Sequence, residues 1–137
     1  MLTPEIAYLE LADSGDDRGS SFPVPGSFFD KAFPVRDGHV TTILPGHTRG
    51  NHFHKTRHEI LIIMFEDRWS LHWDEGEGTS HHRQDFQGHG AAAIKVQPYA
   101  SHAIRNDGSA LLHLVGLTDH AYDPNDPDAF PRKVTSP

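Results

Sequence analysis

The chain has no cysteine among its 137 residues. That excludes disulfide cross-links and thiolate metal ligands alike. It also lacks an apolar run long enough to span a membrane, an internal repeat and a low-complexity tract. Its N-terminus carries neither the basic start nor the apolar segment of a secretory signal, so the expected compartment is the cytoplasm and no membrane partner is expected. Positive charge is scarce: 12 Lys and Arg stand against 19 Asp and Glu, a net charge of −7 with histidines neutral. That balance argues against nucleic acid as a partner. At this length one domain covering residues 1–137 is expected, with a barrel core over about 38–118.

Turn formers and histidine are plentiful. Twelve glycines and ten prolines recur with polar clusters along the chain, a pattern of short strands joined by tight turns. The expected fold class is all-β, a sandwich or barrel. Twelve histidines is a high count, and roughly one His-x-His pair would arise by chance at that frequency. A histidine pair therefore gains meaning only from its surroundings.

One stretch has such surroundings: Gly46-His47-Thr48-Arg49-Gly50-Asn51-His52-Phe53-His54-Lys55-Thr56-Arg57-His58-Glu59. Residues two apart on a strand share a face, so His52 and His54 can converge on one point. Glu59 has the opposite parity. The polar run Lys55-Thr56-Arg57 offers a reversal that would return Glu59 on the neighbouring strand. Two imidazoles and a carboxylate make a divalent-metal site short of one ligand, and His102, delivered by the turn at Pro98, is the candidate fourth.

The remaining chain reads in the same terms. Residues 6–11 form a first strand, and 13–21 a solvated loop that lacks the ligand periodicity of a calcium loop. Residues 22–33, rich in Phe and Pro, suggest an extended arm packing aromatics on the barrel. Strands are expected at 40–44, 59–65, 68–73, 91–96 and 110–117. On the second of these, Leu61 and Ile63 share the Glu59 face. Ile60, Ile62 and Met64 then need cover from a facing sheet or from a second subunit. His81, His82 and His89 read as an exposed hairpin, His113 as a core or interface residue, and Asp107-Gly108 as a hairpin tip. The proline-rich tail, 121–137, should wrap the surface.

These residues resemble the cupin superfamily. Gly46, His52, His54 and Glu59 fit its first motif, with Glu66 where a closing glycine is usual. Pro98, His102 and Asn106 fit its second, with Tyr99 in place of glycine. More narrowly, residues 49–56 and 122–130 are similar to the cupin domain of capsular-polysaccharide nucleotide-sugar epimerases. Sugar-nucleotide ketoisomerases with an Arg-Gly-x-His-x-His segment are a related resemblance. The resemblance implies a double-stranded β-helix jelly roll, a homodimer, and a site inside the barrel mouth.

The chemistry expected there is small-molecule metabolism with a divalent metal (Zn, Mn, Ni or Fe) on His52, His54, Glu59 and His102. Such an ion polarises a keto oxygen, so a keto sugar nucleotide could be epimerised or isomerised, with His54, His102 and Tyr99 moving protons and Arg49 holding a phosphate. The same ligands would serve an Fe(II)-dependent dioxygenase. A non-catalytic cupin binding a small ligand or metal is the third reading.

Overall fold

A computed structural model describes residues 6–29 and 33–136. Ten strands form two five-stranded sheets packed face to face. Edge to edge, the first sheet runs β1 (Ile6–Glu10), β7 (Gly90–Val96), β4 (Glu59–Phe65), β9 (Leu112–Thr118) and β2 (Asp37–Ile43). The second runs β10 (Phe130–Pro131), β3 (Thr48–Phe53), β8 (His102–Asn106), β5 (Trp69–Trp73) and β6 (His82–Phe86). Every pairing is antiparallel. This is the all-β jelly roll expected from the sequence. Among the described residues no helix is long and apolar enough to cross a membrane.

Alternation sets the layers. Along β4, Leu61, Ile63 and Phe65 point between the sheets and meet Trp69 and Leu71 of β5, Ile94 of β7 and Leu114 of β9. Each such side chain contributes about 1.5–3 kcal/mol by leaving water. Trp69 stacks on Phe86 with centroids 4.1 Å apart and an interplanar angle of 6°.

The inward row of several strands changes from apolar to polar along its length. On β4, Glu59 precedes Leu61; on β8, His102 precedes Ile104; on β2, His39 and Thr41 precede Ile43. All these polar positions fall at one end of the sandwich. The apolar end is a closed core and the polar end is an open cavity.

The outer face of the first sheet is only partly covered. Phe22, Val24 and Phe28 pack with Leu11, Ala91 and Ala93, as the aromatic arm predicts, and Gly26–Phe28 makes a single 3₁₀ turn. Residues 30–32 of that arm lie outside the described residues. Ile60 is fully buried, whereas Met64 is 51% exposed and Val40 81%. The second sheet packs on the Leu61 side, so it is not what covers Ile60.

Two local expectations need correction. Asp107-Gly108 does not form a hairpin, because β8 and β9 belong to different sheets and residues 107–111 cross between them. Asn106 fixes that crossing: Nδ2 donates to Ile43 O and Ala110 O, both at 2.8 Å, and Oδ1 accepts the Gly108 N–H at 3.0 Å. His113 is exposed on the outer face of β9, which removes the core half of its expectation and leaves the interface half standing.

Candidate functional site

The cavity owes its floor to an irregularity in β3. Arg49 pairs with Ile104 and His52 with His102, so three steps along β3 match two along β8. The extra residue is a β-bulge, and it puts Arg49 and His52 on the same inward face although their spacing alone would separate them. Asn51 adopts φ +58° there, with its Oδ1 accepting the Val134 and Thr135 N–H groups at 2.8 and 3.1 Å. Gly50 has φ +109°, and a Cβ on it would lie 2.5 Å from His102 O. The Arg-Gly-Asn-His segment is thus a bulge with one required glycine.

His54 lies one residue beyond the end of β3, still facing inward. The reversal at 55–57 carries the chain to Glu59. It does so across the sandwich, since β3 and β4 lie in different sheets. The neighbouring-strand expectation for Glu59 is therefore wrong, yet the convergence is real: Glu59 Oε1 lies 3.3 Å from His54 Nε2 and 3.4 Å from His102 Nε2. The ligand nitrogens of His52, His54 and His102 all lie within 4.8 Å of one another.

Backbone carbonyls fix two of the rings. His54 Nδ1–H donates to Asp128 O at 2.7 Å, and His102 Nδ1–H donates to Ala100 O at 3.2 Å. Each Nε2 then aims at the same carboxylate oxygen. A neutral ring would set lone pair against lone pair, so the arrangement calls for positive charge at its centre, as protons or as a cation.

Electrostatics agree. Burial pushes the His52 imidazole down to about 3, helped by His102 and His54, so its lone pair is free for a cation. Burial opposes ionisation of Glu59, but hydrogen bonds from His102 and His54 outweigh it and hold the carboxyl well below the usual range.

The cavity above this floor measures about 670 Å³. Arg49 and Arg57 line it, and Glu59 is the one acidic lining residue among the described residues. Arg49 Nε donates to Thr42 O at 3.1 Å. Sequence reading missed His39 and Thr41 on β2, Arg57, and Tyr122 on the tail, all of which line the cavity. His39 and Thr41 could have been found by counting back in twos from Ile43. Tyr122, Pro127 and Ala129 could not, because only tertiary structure folds the tail over the mouth.

Tyr99 is placed elsewhere. It has φ +71°, which glycine would adopt freely, and its N–H donates to His54 O at 2.6 Å. Its ring stacks on Phe53, whose parity is opposite to His52 and His54, so it sits on the outer surface. It does not line the cavity. His82 stacks on Trp73 and His89 bonds Glu66 and Ser20, so that histidine cluster also lies outside the site.

A two-sheet jelly roll with a histidine and carboxylate floor inside one open end defines the class of this protein. The family model described as the polysaccharide biosynthesis C-terminal domain matches residues 26–130, and the chain belongs to that family. No curated protein matches the chain. Among solved structures, it is similar to the capsular polysaccharide assembling protein CapF from Staphylococcus aureus, at 22% identity over 90% of this chain and a TM-score of 0.65. The chain spans only 34% of CapF. It is similar to the sugar 3,4-ketoisomerase QdtA from Thermoanaerobacterium thermosaccharolyticum in complex with TDP, at 20% identity, 91% of this chain, 86% of that chain and a TM-score of 0.66. A double variant of the 3'-monoepimerase ChmJ from Streptomyces bikiniensis, in complex with dTDP, gives 17% identity, 96% and 71% coverage and a TM-score of 0.74. At these identities the likeness establishes the fold.

Proposed function

We propose that this chain is an epimerase or ketoisomerase of a keto sugar nucleotide. The observation that carries the reading is the convergence of His52, His54, His102 and Glu59 beneath a rim bearing Arg49 and Arg57. In a chain of net charge −7, a cavity holding two arginines and one carboxylate selects an anionic ligand. A volume of about 670 Å³ suits a small organic molecule. QdtA, a sugar 3,4-ketoisomerase solved with TDP bound, and ChmJ, a 3'-monoepimerase solved with dTDP bound, share the fold.

The residues take roles accordingly. Arg49 and Arg57 hold a phosphate, for which a guanidinium fork is matched. His52, His54, Glu59 and His102 form a donor set of three neutral-capable nitrogens and one oxygen that fits a divalent ion such as Zn, Mn, Ni or Fe. When bound, that ion polarises a keto oxygen and acidifies the adjoining C–H. With the floor imidazoles committed, proton transfer falls to His39 on β2 and Tyr122 on the tail. Tyr122 takes the part expected of Tyr99.

The test is solvent-deuterium incorporation into a UDP- or dTDP-4-keto-6-deoxy sugar, followed by NMR. Exchange at the carbon beside the ketone supports the reading, and absence of exchange with every keto sugar tried removes it. Elemental analysis of the purified protein decides the metal. The exposed strip of Val40, Met64 and Val115 supports pairing with a second copy, to be checked by sedimentation.

A further inference from the structure

Asp128 is buried at 8% exposure although it sits in a tail segment whose neighbours are mostly exposed. Its carboxylate is saturated by the 55–57 reversal. Oδ1 accepts the Lys55 N–H at 2.8 Å; Oδ2 accepts the Thr56 N–H at 3.1 Å, the Thr56 hydroxyl at 2.7 Å and the Arg57 N–H at 3.0 Å. Its carbonyl oxygen accepts the His54 Nδ1–H at 2.7 Å. Its backbone is left-handed, with φ +49°, a conformation that aspartate tolerates better than most residues.

We infer that Asp128 is a positioning residue: its carboxylate anchors the reversal between His54 and Glu59, and its carbonyl sets the tautomer that turns His54 Nε2 into the cavity. The two ends of one residue hold the two things on which the floor depends. The turn fixes the distance from His54 to Glu59, and the carbonyl fixes which ring nitrogen is bare. The neutral histidine ring in water prefers the hydrogen on Nε2, so an Nδ1–H ring needs an acceptor held in place. The tail is therefore a working part of the site. Its two cavity-lining neighbours, Pro127 and Ala129, flank the anchor.

The tautomer part stands on geometry alone, while the metal part rests on the functional reading above, and the experiment separates them. Long-range ¹H–¹⁵N spectra of the metal-free protein at alkaline pH report the His54 tautomer without any ligand or activity. The wild type is expected to show Nδ1–H. Asp128→Gly, which tolerates the left-handed backbone but lacks the carboxylate, is expected to show a mixture, with Asp128→Asn between the two. Cobalt(II) titration should give an affinity at least about tenfold weaker for Asp128→Gly. An Nε2–H ring in the wild type overturns the proposal, whatever the variants do. So does an unchanged tautomer in both variants accompanied only by a lower melting temperature. If cobalt does not bind even the wild type, the metal reading fails and the tautomer result still decides the role of Asp128.

Discussion

The His39 ring lies flat across Gly116, its partner on β9: a Cβ at residue 116 would fall 2.3 Å from His39 Cε1 and 2.6 Å from Nε2. The three nearest atoms all belong to a side chain that can rotate. Gly116→Ala should therefore cost less than about 1 kcal/mol in stability while driving His39 out of the cavity. If His39 carries a proton in the reaction, Gly116→Ala and His39→Ala should lower kcat/KM alike, by on the order of a hundredfold. Steady-state kinetics beside urea unfolding tests this, and an active Gly116→Ala with inactive His39→Ala would show that the ring stays in place.

Gly50 is the opposite case. A Cβ there meets backbone, 2.5 Å from His102 O and 2.8 Å from Ala103 Cα, and φ is +109°. Nothing can rotate away. Gly50→Ala should destabilise by more than about 2 kcal/mol and spread the pairing of β3 with β8. Asn51→Gly keeps the left-handed backbone and loses only the two bonds to the tail, so it should cost about 1–2 kcal/mol. The order of their thermal midpoints, Gly50→Ala below Asn51→Gly below wild type, is the expected readout.

Trp69 is fully buried and its Nε1–H has no partner among the described residues. An unpaired buried donor costs about 1–3 kcal/mol. Trp69→Phe removes that penalty, keeps a ring to stack on Phe86, and loses some volume. The two effects should leave stability within about 1 kcal/mol of wild type. Trp69→Ala should lose about 3–5 kcal/mol. Guanidinium melts followed by circular dichroism compare them directly.

The Asp128 carboxyl is held at about 2 against an ordinary 3.8; burial opposes the shift, and the N–H groups of Lys55 and Arg57 lead the bonds that produce it. A depressed carboxylate stabilises above its unfolded pKa and loses that contribution as pH falls through its folded one. The window thus lies between about pH 4 and pH 2, and the contribution is at most about 2 kcal/mol. Urea midpoints of wild type should fall across that window more steeply than those of Asp128→Asn. Parallel slopes would mean that the hydrogen bonds do not stabilise the anion.

Much of the fold was legible because strand alternation is a local property. Leu61 and Ile63 could be turned inward because they share the parity of Glu59, and they do join the core. The floor was legible for a related reason: His52, His54 and Glu59 are close in sequence, and His102 follows a proline turn. What remained hidden depends on long-range choices. Asp107-Gly108 is a good hairpin sequence, but which sheet each flanking strand joins is decided by packing. The bulge at Asn51, which brings Arg49 to the cavity, is a register difference between two strands. The place of Tyr122 depends on the tail closing over the mouth, which no periodicity announces.

The floor of the cavity requires positive charge. Glu59 Oε1 is shared between His54 Nε2 and His102 Nε2 at 3.3 and 3.4 Å, longer than the 2.7–2.9 Å or so of a charge-assisted hydrogen bond. The gap leaves the three groups competing for one central positive charge. A divalent ion that binds the folded chain and not the unfolded one stabilises it by about 2.7 kcal/mol at a hundred times its Kd. Chelation should therefore lower the melting temperature, and returning the ion should restore it. In Glu59→Gln the amide still fills the space but carries no charge, so the response to the chelator should largely disappear. Equal melting temperatures with and without chelator in the wild type would mean that protons, and no ion, supply the charge between these side chains.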